Sequence, residues 1–460
     1  MSDKTHSQSP LSVVVLAAGK GTRMRSDLPK VLHRVAGKPM VQHVLDAARP
    51  LAPAKAVVVV GPDMPDVGEA VAPWPTAVQR EQLGTAHAVQ AAAPHLESEI
   101  AAGGDVLILY GDGPLITAET LEAMRRARQD TREAAPDFVW LGFRPADPAG
   151  YGRLILDGAG LVERIVEEKD ASAQERALDL CWAGLLLGRI EALFPLLAKV
   201  GNSNAKGEYY LTDLVSLAAA EGLTSAVVET PNAEEVQGVN SKLELAGAEA
   251  VMQRRLRRRA MEEGAVLEHP ESVILQHDTL LEPDAVVEAN VVFGPGVTVR
   301  SGARIRAFSH LEGAEVGPGA VVGPFARLRP GAALEEGAHV GNFVEVKNAT
   351  LGPGAKANHL TYVGDATVGA KANLGAGTIT CNYDGFTKAR TEIGEGAFIG
   401  SNSALVAPVK IGKGAIVGAG STITKAVGED DMVVVRGRAV EVKGGAKRFR
   451  DARQKDKKKE

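Results

Sequence analysis

The sequence predicts two domains in series: an α/β domain with a mostly parallel sheet, then a parallel β-helix built on hexapeptide repeats. Three observations carry that prediction. In the first half, short β-branched runs closed by glycine alternate with helix-compatible segments, the pattern of strand–helix–strand units. In the second half, large aliphatic residues recur every six positions, a period that matches neither a helix nor a flat strand. Glycine is also abundant, 51 of 460 residues, while aromatics reach only 4%. Glycine usually stands at about 7%, and 29 of the 51 lie after Glu263, so the excess belongs to the repeat half.

A chain of 460 residues is too long for one ordinary core. Its 45% hydrophobic and 24% charged content excludes wholesale disorder. A net charge of −5 is too near neutrality to imply a nucleic-acid or membrane surface. Two cysteines, Cys181 and Cys381, cannot build a disulfide framework, which fits a reducing cytosol and a cytoplasmic location. No apolar run approaches the roughly eighteen residues of a membrane helix, and residues 1–10 lack the apolar core of a signal peptide.

Taken in order, residues 1–10 read as a disordered N-terminus and residues 11–239 as the α/β domain. Residues 12–17 (SVVVLA), 56–60 (AVVVV) and 105–110 (DVLILY) are its buried-strand candidates, with helices expected over 39–49 and 117–128. Residues 240–263 read as a linker helix. Its arginines 254, 255, 257, 258 and 259 suit a solvated connector, because no aromatic residue interleaves them for base stacking. The β-helix spans 264–446. Its inward positions run Leu281, Val287, Phe293, Val299, Ile305 and Leu311, then after a one-residue slip from Val316 to Val346, and again from Ile393 to Ile423. Three such positions make a triangular coil of about eighteen residues, so roughly eight or nine coils fit. Residues 351–392 read as an irregular stretch that interrupts the coils, and residues 447–460 as a basic, disordered tail.

Several motifs carry chemistry. LAAGKGTRM is a glycine turn after a strand, neither a Walker loop nor a full dinucleotide fingerprint. Such a turn offers backbone N–H groups to phosphates. Asp112, in LILYGDGPL, ends a buried strand, where a carboxylate is costly without a partner. Arg329 and Lys347 lie eighteen residues apart, one full coil, so they stack on one edge and could clamp a phosphate. The irregular stretch concentrates His, Asn, Tyr and Asp in NHLTYVGDATVGAKANLGAGTITCNYDGF, where a plain solenoid has no need of them. The ten histidines and two cysteines make no zinc spacing.

Together with SDLPK, QREQLGT, YGR, IVEEKDA and GVN, these motifs resemble a family from about residue 11 to residue 440. It is the bacterial bifunctional N-acetylglucosamine-1-phosphate uridyltransferase and glucosamine-1-phosphate N-acetyltransferase. The resemblance implies a Rossmann-like nucleotidyltransferase domain joined to a left-handed β-helix, assembled as a homotrimer without nucleic acid or membrane partners. It also implies two reactions: acetylation of glucosamine 1-phosphate by acetyl-CoA, then uridylyl transfer from UTP. The product would be UDP-N-acetylglucosamine, the activated sugar of cell-wall synthesis.

By the same resemblance, Leu16, Ala17, Ala18 and Gly19 would line the nucleotide, and Arg23 and Lys30 would balance triphosphate charge. Gln79, Gln82, Gly84 and Thr85 match uracil and ribose contacts, and Tyr110 and Gly111 precede Asp112, which with Asn240 would hold Mg²⁺. Gly152 and Glu167 correspond to sugar contacts. Trp182 departs from the family, which usually has asparagine there. Either another residue reads the acetamido group, or the sugar stacks on the indole, or the specificity is altered. In the second half His359 matches the general base, and Arg329, Lys347, Tyr362 and Asn373 match sugar-phosphate contacts. Asn382 and Tyr383 match contacts near the acetyl group, the Ala376 N–H could stabilise an oxyanion, and Ser401, Ala419 and Arg436 correspond to CoA contacts.

Overall fold

The computed structural model describes residues 9–130 and 135–456. It divides into two compact units, Met1–Leu256 and Arg257–Glu460.

Among the described residues, the main sheet of the first unit has nine strands: β1 (Leu11–Leu16), β2 (Lys55–Val60), β3 (Thr76–Val78), β4 (Asp105–Tyr110), β5 (Phe138–Phe143), β6 (Arg153–Leu156), β7 (Val162–Val166), β8 (Cys181–Arg189) and β9 (Ser225–Glu229). Their order is β9-β5-β8-β4-β1-β2-β3, with the antiparallel β6–β7 pair attached beside β8. All ladders along this path are parallel except those of β8, which runs against both β4 and β5. The centre of the sheet is buried on both faces, which is why β1, β2 and β4 carry the continuous aliphatic runs VVVL, AVVVV and VLIL.

Alternate residues of those strands serve opposite cores. Val13, Val15, Leu107 and Leu109 pack with Val41 and Val44 of α1 (Met40–Ala48). Val14, Leu16, Val106 and Ile108 pack with Val89 of α2 (Thr85–Gln90) on the other face. The helix expected over 117–128 is α3 (Ala118–Arg128), and the Thr117 side chain caps it by accepting from the Thr120 N–H. The chain leaves β1 for β2 on one side and returns to β4 on the other. This reversal opens a crevice outside the carboxyl ends of β1 and β4, the usual ligand position in an open α/β sheet.

Residues 1–8 lie outside the described chain, but Ser9 and Pro10, expected to be disordered, are held. The Ser9 carbonyl accepts from Arg125 and the Pro10 carbonyl from the Asp105 N–H. The long helix α4 (Lys242–Glu262) crosses the boundary between the units. Its arginines are not all solvated. Arg255 donates to Leu115 O (2.6 Å), and Arg257, buried, donates to Val273 O (2.8 Å).

In the second unit, strands of two to four residues stack into three parallel sheets of ten, eight and eight strands, the three faces of a β-helix. The predicted inward positions are buried, and each face is a ladder of them, as in Val287, Ile305, Val322 and Val340. The stretch read as irregular is mostly regular coil. Ala357, Val363, Val368, Leu374 and Thr380 continue the inward rows. Small Ala357 and hydroxylic Thr380 hid the aliphatic pattern, and Thr380 is satisfied inside by donating to Gly364 O (3.0 Å). Only residues 382–390 leave the coil, with Phe386 92% exposed at their tip. The tail read as disordered forms an exposed helix, Gly445–Asp456, with a Lys447–Asp451 ion pair one turn apart. Residues 457–460 lie outside the described chain.

Candidate active sites

In the first unit, the turn after β1 and the turn after β4 face each other across a cavity of about 440 Å³. Leu16, Ala17, Ala18 and Gly19 form one wall; Gln79, Gln82, Gly84 and Thr85 form another; Lys30, Tyr110, Asp112 and Asn240 close the end. The QREQLGT loop is shaped by Gly84, whose φ of +122° suits glycine and whose added Cβ would meet Tyr209 O at 2.5 Å. Tyr209 pins that loop from both sides, donating to Leu83 O (2.8 Å) and accepting from the Ala86 N–H (3.0 Å). The amide nitrogen of Gln79 sits 3.1 Å from both Gly84 O and His87 Nδ1, and that of Gln82 donates to Ala18 O. Both amides therefore brace the loop as well as bordering the cavity.

Lys30, Asp112 and Asn240 come from three distant parts of the chain. Lys30 Nζ lies 2.5 Å from Asp112 Oδ2 and 2.9 Å from Asn240 Oδ1. Asn240 is held because Val239 N–H donates to Asp112 O (2.9 Å), while Glu244, early in α4, accepts from the Asn240 N–H (2.6 Å). Two side-chain oxygens converging on one cation fit magnesium, which takes one or two such ligands and fills the rest with phosphate and water. Arg23 stands exposed in the turn Thr22–Met24, and neither it nor Gly111 lines the cavity. Glu208 does, and no motif had singled it out.

A neighbouring cavity shares Tyr110 and Asp112 and is lined by Gly152, Glu167 and Trp182. Burial pushes the Glu167 carboxyl above its ordinary range, against the pull of the Lys206 ammonium and the Thr212 hydroxyl. Burial also raises the Tyr110 phenol, tempered by a hydrogen bond with Thr85. Trp182 is only 9% exposed. Its indole meets Tyr110 and Trp140 edge-on, at centroid separations of 6.3 and 5.8 Å, and its N–H donates to Leu185 O (3.2 Å). The ring is thus part of the core that supports Tyr110, and its polar atom is already committed.

In the second unit, one corner of the β-helix repeats from coil to coil through backbone bonds. Leu360 N–H donates to Asn342 O, Gly377 to His359 O, Asn402 to Ala376 O and Gly420 to Ser401 O. His359, Ala376, Ser401 and Ala419 therefore occupy equivalent positions on consecutive coils. Arg436 follows on the same edge, its side chain 3.9 Å from where a Gly420 Cβ would stand. Among the described residues the Ala376 N–H has no acceptor, so it can serve an incoming oxygen. His359 is exposed, with Nδ1 2.9 Å from Asn342 Oδ1. Asn342 is seventeen residues earlier, one coil away, and no motif had singled it out.

On the next face, Leu328 pairs with Val346, which puts Arg329 and Lys347 on adjacent coils. Arg329 donates to Glu345 Oε1 (2.8 Å), another partner the motifs did not name. Tyr362 pairs with Glu345 and Ile379, and Asn373 with Lys356, so both lie within one coil of His359. Asn382 and Tyr383 begin the excursion. Asn382 is buried and donates to the Asp365 carboxylate, whereas Tyr383 is exposed and donates to Gly385 O (2.6 Å). Among the described residues, no three His, Cys, Asp or Glu side chains gather as a metal site, and no helix is long and apolar enough to cross a membrane.

Residues 13–173 match the model of the MobA-like NTP transferase domain, and residues 390–425 that of the bacterial transferase hexapeptide (six repeats). Over 445 residues the chain is 61% identical to the bifunctional protein GlmU of Rhizorhabdus wittichii, covering 96% of this chain and 97% of that one. It is 58% identical over 441 residues to the protein of the same name from Rhodospirillum rubrum, covering 95% and 97%. The GlmU of Paramagnetospirillum magneticum is 55% identical over 445 residues, covering 96% and 97%.

Proposed function

This chain belongs to the bifunctional GlmU family, and from that premise we propose how its two units divide the synthesis of UDP-N-acetylglucosamine. The protein is both an acetyltransferase and a uridyltransferase.

The acetyl transfer belongs to the β-helix. His359 Nδ1 rests on Asn342 Oδ1, a pure acceptor, so the ring carries its proton on Nδ1 and leaves Nε2 basic. Nε2 takes the proton from the glucosamine amine as that nitrogen attacks the thioester carbon of acetyl-CoA. The Ala376 N–H faces the oxyanion, the C–S bond breaks, and the CoA thiolate leaves. Arg329 and Lys347, with Tyr362 and Asn373, hold the sugar phosphate, and Ser401, Ala419 and Arg436 lie along the edge that takes CoA. The orientation of His359 by Asn342 is the observation that carries this reading.

Uridylyl transfer belongs to the α/β unit. The glycine turn and Lys30 cradle the triphosphate, Gln79, Gln82, Gly84 and Thr85 surround the uridine, and Glu167 with Gly152 receives the sugar. A phosphate oxygen of N-acetylglucosamine 1-phosphate attacks the α-phosphorus of UTP, and pyrophosphate leaves. Positioning and charge neutralisation drive the step, since no nucleophilic side chain is needed. Asp112 and Asn240 would hold magnesium, which would supply neutralisation of the phosphate oxygens.

The active assembly is a homotrimer in the cytoplasm. Exposed Phe308, Phe325 and Phe343 stack along the His359 corner at 5.0 and 5.2 Å, followed by exposed Leu360, an apolar ridge suited to a second copy. Sedimentation as a monomer would overturn the assembly. The division of labour is tested by two assays, thiol release from acetyl-CoA and pyrophosphate release from UTP. His359→Ala should lose only the first and Asp112→Ala only the second. Normal thiol release from His359→Ala would sink the assignment of the base.

A further inference from the structure

The buried carboxylate of Asp365 is a charged group that neither reaction uses. It sits 6% exposed at a corner of the β-helix where the chain turns left-handed, with φ +48°. A charge in that position is costly without donors, and Asp365 has two. Oδ1 accepts from Asn348 Nδ2 (2.6 Å), and Oδ2 accepts from Asn382 Nδ2. Burial alone would raise the carboxyl, but these two amides and the nearby Lys347 and Lys388 ammonium groups hold it below the ordinary range.

Asp365 also touches both ends of the excursion over residues 382–390. Asn382, where the chain departs, is bonded through its side chain. Where the chain rejoins the coil, the Thr391 N–H donates to Asp365 O (3.1 Å). Between them the Ala389 N–H donates to Asn382 O (3.0 Å), closing the neck. An amide side chain can present either its oxygen or its nitrogen to a site. A carboxylate, which only accepts, settles the choice: the Asn382 nitrogen faces Asp365, and its oxygen is left as an acceptor.

We infer that Asp365 is the positioning residue of the acetyltransferase site, anchoring the base of the 382–390 excursion and fixing which end of the Asn382 amide meets the substrate. This rests on the assignment of Asn382 to that site. The left-over Asn382 oxygen suits an N–H donor, such as the glucosamine amine.

Asp365→Asn keeps the size but removes the obligatory acceptor. It should lower kcat for thiol release by about ten-fold, with pyrophosphate release from the same protein unchanged. Asn382→Ala should also be slow, and the double variant no slower than Asn382→Ala alone, because the effects pass through one group. Asn348→Ala removes the other partner of the carboxylate and leaves Asn382 held, so it should keep the wild-type rate. Losses that multiply in the double variant, or a loss in Asn348→Ala as large as in Asp365→Asn, would show a merely structural carboxylate. A normal Asp365→Asn beside a slow Asn382→Ala overturns the inference alone. A normal Asn382→Ala overturns the site assignment beneath it as well.

Discussion

At the scale of single residues, chemistry was easier to foresee than orientation. Asp112 was legible because a carboxylate at the end of a buried strand demands a partner, and it has Lys30 at 2.5 Å. Its convergence with Asn240 was not legible from the residues alone, because 128 positions of chain separate the two. Trp182 shows the opposite case. Its place in the sequence marks it as a departure, but only packing shows that the indole supports Tyr110 and donates to Leu185 O. The indole lines the cavity beside Glu167 with little of its surface open. Trp182→Asn should cost about 3 kcal/mol of stability, as large-to-small core changes do. It should also change the ratio of kcat/KM between N-acetylglucosamine 1-phosphate and glucose 1-phosphate, since the wall beside Glu167 would gain polar groups. Denaturant midpoints read the first effect; a wild-type ratio across sugar phosphates would contradict the second.

At the scale of elements, the six-residue period was strong enough to define the coils and too simple to define their phase. Successive inward residues on one face are mostly separated by eighteen or seventeen positions, as Val316–Leu334 and Leu334–Leu351 show, but by twenty at Leu267–Val287, sixteen at Ile411–Val427 and, across the excursion, twenty-five at Val368–Ile393. Each short step shifts the register of everything after it, so a count from Leu281 cannot say which later residues stack. Glycines hold the turns where coils approach most closely. A Cβ on Gly400 would lie 2.4 Å from the backbone nitrogen of Ala419, whereas one on Gly437 meets nothing within 4 Å. Gly400→Ala should therefore destabilise the β-helix by about 1–3 kcal/mol, with Gly437→Ala neutral. Equal denaturant midpoints for the two variants would show that the coil can shift to absorb a methyl group.

At the scale of the molecule, two units carry two sites with separate residue sets, and the intermediate that links them is a small, free sugar phosphate. Mixing His359→Ala and Asp112→Ala chains should therefore restore conversion of glucosamine 1-phosphate, acetyl-CoA and UTP into UDP-N-acetylglucosamine. Product from the mixture no greater than from either variant alone would contradict this. The arginine run in α4 was also decided at this scale. Read along the chain it is a uniform basic stripe, yet Arg255 and Arg257 bury their guanidinium groups against carbonyls while Arg258 pairs with Glu262 in solvent.

By itself the sequence determined the architecture: periods of strand–helix alternation and of six residues are local, and they dictate which side chains must be buried. It also determined which residue types were available for phosphate, amine and metal chemistry. The tertiary structure decided which of them meet. Asn342 beneath His359, Glu345 on Arg329 and Asp365 between Asn348 and Asn382 are contacts across coils. Such contacts depend on the summed register of every turn between the partners, and on burial that makes an unpaired polar group costly. Neither quantity is a property of any short stretch of chain.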